Sequence, residues 1–369
     1  MPRQGVAAPG VISAQASTFV VAARDADPHI RATSDFVCTG SRPDDEELQD
    51  AYDSLPSSGG TLVLTTGTFT LTATLLLAIG KPVVLIGQGK GVTILKLADN
   101  ANVDVMQAAG VVSNCGFHHF TVDGNKANQT GAGGGIDTNN MNDAFFLDVE
   151  IKNCRSNGFG GAGSDPLDCI FVGCISHDND SAGFRFATSS LRCQLIGCVA
   201  ENNGGHGFEF NFSTDMMLVG CRAKDNTSDG VRSVGNTRLL VVGSALVGNG
   251  AFGINESSGG TDNIFEGNVF NGNSSGPVAQ LGNSIARNNA GYKTANSGTA
   301  TLVNGQTTIV VTHGLDVTPA AGDIMLTPME SLGSASEFFI DTYTATQFTI
   351  HVDVDPTQDV DFAWKAVVL

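Results

Sequence analysis

Charge is scarce in this chain, and what there is leans to one sign. Only 15% of the 369 residues are charged, and 37 Asp and Glu outnumber 19 Lys and Arg, leaving a formal net charge of −18. Such a surface repels phosphate backbones and anionic headgroups, which argues against nucleic acid and membrane as partners. A polyanionic substrate would need a local basic strip or a bound divalent cation such as calcium; no other cofactor is required. Also missing is any run of about 18 apolar residues, the length of a membrane span. The opening MPRQGVAAPG lacks the apolar stretch of a secretory signal, so residues 1–20 read as a flexible lead or attachment remnant. Tryptophan occurs once. Glycine, by contrast, is abundant at 46 residues, and between 100 and 290 it is joined by Asn, Ser and Asp, a mixture that favours tight turns between short strands.

The chain repeats. Written in register, Cys154, Cys174, Cys198, Cys221, Ser244 and Asn268 fall in one column, the last two at steps of 23 and 24 residues. Each member from Cys174 onward follows a glycine: Gly173, Gly197, Gly220, Gly243 and Gly267. A second column five residues upstream holds Cys169, Cys193, Met216, Leu239 and Asn263. Because Met, Leu and Ser share these positions, the cysteines read as reduced core residues, not as disulfides or metal ligands. A third column, Asn179, Asn203, Asn226, Asn249 and Asn273, lies at turns. Stacked amides there hydrogen-bond along the axis and tolerate left-handed backbone angles. A fourth, Phe159, Phe184, Phe208, Val231 and Ile254, marks another strand.

Strands repeated in one direction without helices between them exclude a doubly wound sheet, whose crossovers take about a dozen residues or more. What remains is an all-β fold, a right-handed single-stranded parallel β-helix over residues 21–293, whose end coils need caps. A helix over about 42–55 supplies one, with Ser41 as N-cap candidate, Pro43 and four acidic residues in its first turn, and Leu48, Ala51, Tyr52 and Leu55 on one face. The first strands follow at 61–71 and 81–89. Residues 294–369 form a separate β-sandwich-like domain of alternating strands.

The segment SDFVCTGSRPDDEELQDAYDSLPSSGGTLVLTTGTFTL, with TVDGN at 121–125, resembles the pectate-lyase-like β-helix superfamily over residues 34 to about 290. That superfamily includes polysaccharide lyases, hydrolases, epimerases and phage tailspikes. The last 75 residues look like modules that end phage tail proteins, which implies homotrimer formation or glycan contact. Taken together the layout is similar to a tailspike, implying an extracellular or virion location.

Outward residues beside the fourth column form a polar strip: Asp137, Gly160, Arg185, Glu209, Arg232 and Asn255. Adjacent coils lie about 4.8 Å apart, so the strip is a candidate groove for a chain-like ligand. The competing reading is a structural charge ladder, of which Asp168, Arg192, Asp215, Arg238 and Asp262 are a second instance. His206 falls in register beside Asp229, so His206, Asp229, Glu209 and Arg232 are expected to converge, the first three as catalytic groups. GHG at 205–207 and GVR at 230–232 resemble two motifs of the polygalacturonase family, where they supply a histidine and a substrate-binding arginine. That family's aspartate motifs are absent, and only Asp180 falls close to one. GGGIDTNN at 133–140 is similar to an alginate epimerase and lyase motif without its Tyr and His, which puts forward Asp137, with His118 and His119 as neighbours. The loop 125–134 lengthens its coil and is a candidate groove wall.

The leading functional expectation is hydrolysis of a bacterial surface or extracellular glycan by Glu209, Asp229, His206, Asp137 and Asp180, with Arg185, Arg232 and Asn255 binding substrate and no metal ligated. Against it stand a non-catalytic trimeric fibre or glycan-binding adhesin, and a uronate lyase or C5-epimerase built on Asp137.

Overall fold

The computed structural model describes residues 17–161, 166–279 and 283–368. Its larger part is a coil of three main parallel sheets and one short parallel pair, Val112–Ser113 with Met141–Asn142. The first has twelve strands and the second nine, while the third consists of a three-stranded and a five-stranded segment. Phe159 joins those two segments by bridging to Ile136 on one side and Phe184 on the other. A representative coil passes through Gln194–Ile196, Val199–Glu201 and Phe208–Asn211, then returns at Met217–Val219. The returning strand pairs in register with Gln194–Ile196, one coil on.

Strands this short hold because every coil repeats the same inward set. Leu195, Ala200, Phe208 and Phe210 are buried, and their counterparts above and below pack on them. Phenylalanines stack along the axis, Phe159 on Phe184 with centroids 4.8 Å apart and Phe184 on Phe208 at 5.1 Å. The glycine that ends each line turns the chain from first sheet to second: Gly173, Gly197, Gly220, Gly243 and Gly267 have φ of 60–65°. All eight cysteines are free and buried. Cys198 and Cys221 illustrate their part: the Cys198 amide donates to Cys221 Sγ at 3.3 Å, and Cys221 Sγ–H reaches the Leu195 carbonyl at 3.3 Å.

The asparagine column is a continuous buried ladder. Asn203 Nδ2 donates to Asn226 Oδ1 and Asn226 Nδ2 to Asn249 Oδ1, both at 3.0 Å, while each Oδ1 also accepts the preceding asparagine's amide. The left-handed backbone expected at these asparagines sits instead on the residue before, as at Asp178, Asn202 and Asp225, with φ of 52–56°. That displacement lets the asparagine turn inward, where its amide replaces the hydrogen bonds that a bend denies the backbone.

The cap helix spans Asp44–Ser54. Its N-cap is Pro43, not Ser41, whose hydroxyl pairs with Thr39 at 2.7 Å. The extended Pro43 frees Asp44 and Asp45 to reach across to the first coil, where they accept the amides of Thr70 and Thr72 at 2.7 Å each. Leu48, Ala51, Tyr52 and Leu55 are buried against the coil. The first sheet begins earlier than expected: Ser17–Ala22 is a strand parallel to Gly60–Leu64, so residues 17–20 are part of the sheet and not of a lead. Residues 1–16 lie outside the described residues.

Beyond the coil, two antiparallel three-stranded sheets face each other. One is Ala295–Leu302, Val360–Val367 and Ile324–Pro328, the other Thr308–Thr312, Gln347–Val352 and Phe338–Asp341. Leu302, Phe348, Ile350, Val360, Phe362 and Trp364 form the core between them.

Candidate functional site

The outward strip lies on the third sheet, in the expected register. Arg185 pairs with Glu209, Glu209 with Arg232, and Arg232 with Asn255. At the other end Asp137 pairs with Gln107.

The second ladder shows what a purely structural arrangement looks like. Arg192 grips Asp168 through two hydrogen bonds of 2.6 Å, and Arg238 grips Asp215 at 2.5 and 2.8 Å. All four stand at exposed left-handed corners with φ of 54–58°, where ion pairs contribute little. The third-sheet strip is built differently. Arg185 Nε stands 3.6 Å from Glu209 Oε2, too long for a hydrogen bond, and its guanidinium donates instead to the Gly161 carbonyl at 3.0 Å. Glu209 accepts from Asn211 at 2.9 Å. Arg232 donates to His206 Nε2 at 3.1 Å, and its Nε is buried without a partner. The strip therefore holds one loose ion pair, Arg185 with Glu209, in place of the bidentate grips of the second ladder.

His206, Asp229 and Arg232 converge with Asn255, whereas Glu209, expected as the fourth member, is held by Asn211 and Arg185 instead. His206 Nδ1 is 3.2 Å from Asp229 Oδ2, and the Asp229 amide points at the same nitrogen at 3.2 Å. A proton on Nδ1 satisfies two of the imidazole's three contacts, donating to Asp229 and leaving Nε2 to accept from Arg232. Asp229 is only 2% exposed and also accepts from the Phe252 amide at 3.0 Å and Asn255 at 3.1 Å. Burial pushes its carboxyl up, but these hydrogen bonds outweigh burial and hold it below the ordinary carboxylate value. Asp229 is thus an ionised group beneath the surface that orients His206. Asp180 stands apart from this set, paired with Lys126 at 3.1 Å. That lysine belongs to the loop 125–134, which Arg155 also ties down through the Gln129 carbonyl at 2.6 Å.

A cleft lies at the other end of the strip, with a volume of about 630 Å³. Asp137, Asn139, Asp104, Gln107, Asn157 and Arg185 line it, and Ala132 and Gly133 of the long loop wall it. Glycines open its floor. A Cβ at Gly160, where φ is +102°, would stand 1.9 Å from the Arg185 carbonyl, and one at Gly161 would stand 2.2 Å from Asp137 Oδ1. Burial raises the Asp137 pKa and the nearby Asp104 charge adds to it, only partly countered by hydrogen bonds from the Asn139 amide and side chain. Asp104 accepts the Gly134 amide. His118 and His119 do not join Asp137. They end a strand of the first sheet, His118 packing edge-on to Phe145 and His119 3.2 Å from Asp148. The strand's short length puts the next turn, and a different face, between them and the cleft.

Asp104 is the residue that the repeat pattern missed. The register places it level with Gly134, Asn157, Ala182, His206 and Asp229, but the inserted loop stretches its step to the next coil to 30 residues. Among the described residues no group of three or more His, Cys, Asp or Glu side chains could hold a metal ion, and no helix is long and apolar enough to cross a membrane.

Several known proteins are similar. Residues 96–279 match a family model described as periplasmic copper-binding protein (NosD). The cysteines of that stretch do not suit a copper site: they are buried, and their thiols donate to main-chain carbonyls of the core. No curated protein matches in sequence. Among solved structures, the ORF18 protein of Geobacillus virus E2 is 15% identical with a TM-score of 0.59, covering 86% of this chain and 74% of its own. The Agl-KA catalytic domain structure is 14% identical with a TM-score of 0.55, covering 77% of this chain and 54% of its own. The A-module of an Azotobacter vinelandii mannuronan C-5 epimerase is 19% identical with a TM-score of 0.49, covering 68% and 96%. The fold that this chain shares with the first two of these is the right-handed parallel β-helix.

Proposed function

We propose that the protein binds a polysaccharide along its third sheet and hydrolyses it in the cleft at Asp137. The observation that carries this reading is a half-buried carboxyl with a raised pKa, lining the 630 Å³ cleft together with a second carboxyl and an arginine. A pKa raised by burial moves a carboxyl in the direction that a general acid, which must give a proton to the glycosidic oxygen, requires. Asp104 is the second carboxyl. One coil and three residues separate it from Asp137, roughly 11 Å between backbones. Side chains reaching toward each other from that span leave room for a water between them, the arrangement of inverting hydrolysis. In this reading Asp104 takes the proton of the attacking water, Arg185, Glu209, Arg232 and Asn255 hold sugars further along the strip, and Asp229 fixes His206 and through it Arg232. Asp180 anchors the cleft's loop.

Arg185 supports a second reading, a lyase or epimerase acting on a uronate. It is the one cation lining the cleft among the described residues, suited to a sugar carboxylate. Purified protein should be incubated with alginate, polygalacturonate and bacterial capsular polysaccharides. New reducing ends without ultraviolet absorbance of unsaturated products support hydrolysis, and absorbance supports the lyase. Retention on immobilised glycan without cleavage would leave a glycan-binding adhesin. Inverted anomeric product, and its loss in Asp137→Asn and Asp104→Asn with retention kept, would support the assignment of roles; activity unchanged in both would remove it.

We also propose that the last module assembles three chains in an extracellular or virion setting. Val310, Met325, Met329 and Phe339 stand more than half exposed on it. A chain ending before Ala295 should scatter light as a monomer, and a trimer would reject the assignment.

A further inference from the structure

One corner of the third sheet is occupied against its backbone preference. Phe212 follows the strand Phe208–Asn211 and has φ of +50°, a left-handed conformation that a bulky side chain rarely takes. The coil imposes that conformation. The Phe212 amide donates to the Val234 carbonyl at 2.7 Å, and the next amide, Ser213, donates to buried Asn236 at 2.8 Å, so both flanks of the corner are fixed. The following coils meet the same demand with glycine, Gly235 with φ of +60° and Gly259 with +57°. Here the chain carries a phenylalanine and leaves the residue 56% exposed, the one exposed phenylalanine, tyrosine or tryptophan on the coil among the described residues.

The ring has a seat. A Cβ at Gly235 would stand 2.6 Å from Phe212 Cδ1, so the absent side chain one coil on is what lets the ring lie against the backbone. The seat supports one side of the ring and leaves the rest to solvent. Three residues back along the same strand is Glu209, and between them Asn211, whose amide donates to that carboxylate. The offset from Glu209 is roughly 10 Å of strand.

Left-handed corners without glycine recur around the coil, but most of them carry Asn or Asp; a phenylalanine there, bulky, apolar and turned to solvent, is the exception. We infer that Phe212 is a sugar-stacking platform, a subsite that takes the C–H face of a pyranose ring of the same polysaccharide that runs along the strip. An aromatic face is electron-rich and apolar, which suits polarised C–H groups, while Glu209 and Asn211 receive the hydroxyls at the ring's edge. This assignment rests on the proposed glycan function and extends it from the cleft to the far margin of the sheet.

The test separates stability from binding. Phe212→Gly removes the ring and relieves the backbone, so its thermal midpoint should equal or exceed that of the parent. Its retention on whichever immobilised glycan the parent binds, among alginate, polygalacturonate and capsular polysaccharides, should fall about tenfold or more, the loss expected for one buried phenyl ring. Phe212→Trp should keep retention. Equal retention by Phe212→Gly and the parent overturns the stacking platform while leaving the glycan function standing. A parent that binds none of the glycans overturns the glycan function and the platform with it.

Discussion

Replacing Asn226 by alanine should cost far more than replacing Asn273 in the same column. Asn226 is 1% exposed. Its Oδ1 accepts the Asn203 amide at 3.1 Å and Asn203 Nδ2 at 3.0 Å, and its own Nδ2 donates to Asn249 Oδ1 and the Ala200 carbonyl, both at 3.0 Å. Alanine leaves two buried donors on Asn203 without those acceptors, where no water replaces them. At about 1–3 kcal/mol for each orphaned buried group, the loss is about 2–6 kcal/mol. Asn273 accepts two equivalent bonds from Asn249, at 3.0 and 2.9 Å, but stands half-buried at the ladder's end. Water can serve the groups left there, and the cost should stay near about 1 kcal/mol. Urea midpoints of the two variants measure the difference, and hydrogen exchange at Asn203 should accelerate in Asn226→Ala alone. Equal destabilisation by the two would refute the claim that burial, not the amide pair itself, gives the ladder its strength.

Gly161→Ala should keep the fold but displace the Asp137 and Asn139 side chains, whose atoms lie 2.2 and 2.3 Å from the added carbon; activity should drop about tenfold or more, read from turnover at an unchanged thermal midpoint. His177 lies between Glu150 and Asp178 at 3.2 and 2.7 Å; its pKa is raised chiefly by the Glu150 hydrogen bond, and Glu150 is lowered to about 2, chiefly by His177. The histidine's contribution to stability is therefore full below its unfolded value of about 6.5 and lost as pH rises through the higher folded value, while the carboxylate's holds above about 4.5 and is lost as pH falls toward about 2. Urea midpoints of the parent should decline from pH 6 to 8, and His177→Gln should flatten that decline; parallel profiles would contradict the pairing. Thiol titration should find eight groups in the denatured chain and almost none in the native one, with no effect of reductant on the thermal midpoint.

The coil was legible because a period of about 23 residues repeats inward positions, and columns such as Phe159, Phe184 and Phe208 show up in sequence as they do in space. The strip was legible for the same reason, since alternation along a strand fixes which residues point out. Geometry at the corners was less so. The left-handed Asp178 and the buried Asn179 are adjacent, and both are ordinary turn residues. The cleft was half visible. Asp137 stood in the strip, but Asp104 fell out of register across the long loop, and the opening of the floor depends on Gly160 and Gly161 having no side chain, which a pattern of polar residues does not record. The two charge ladders looked alike in sequence because alternation of sign is common to both. Only distances distinguish the tightly paired corners from the loosely paired strip.

The most direct test of the account is a crystal structure of the Asp137→Asn protein with an oligosaccharide of a glycan that the parent cleaves. The account predicts sugar density along the third sheet, with a glycosidic oxygen beside residue 137, an acidic or hydroxyl group at Arg185, and the chain continuing past Arg232. Density confined to the nine-stranded sheet or to the C-terminal module would contradict it.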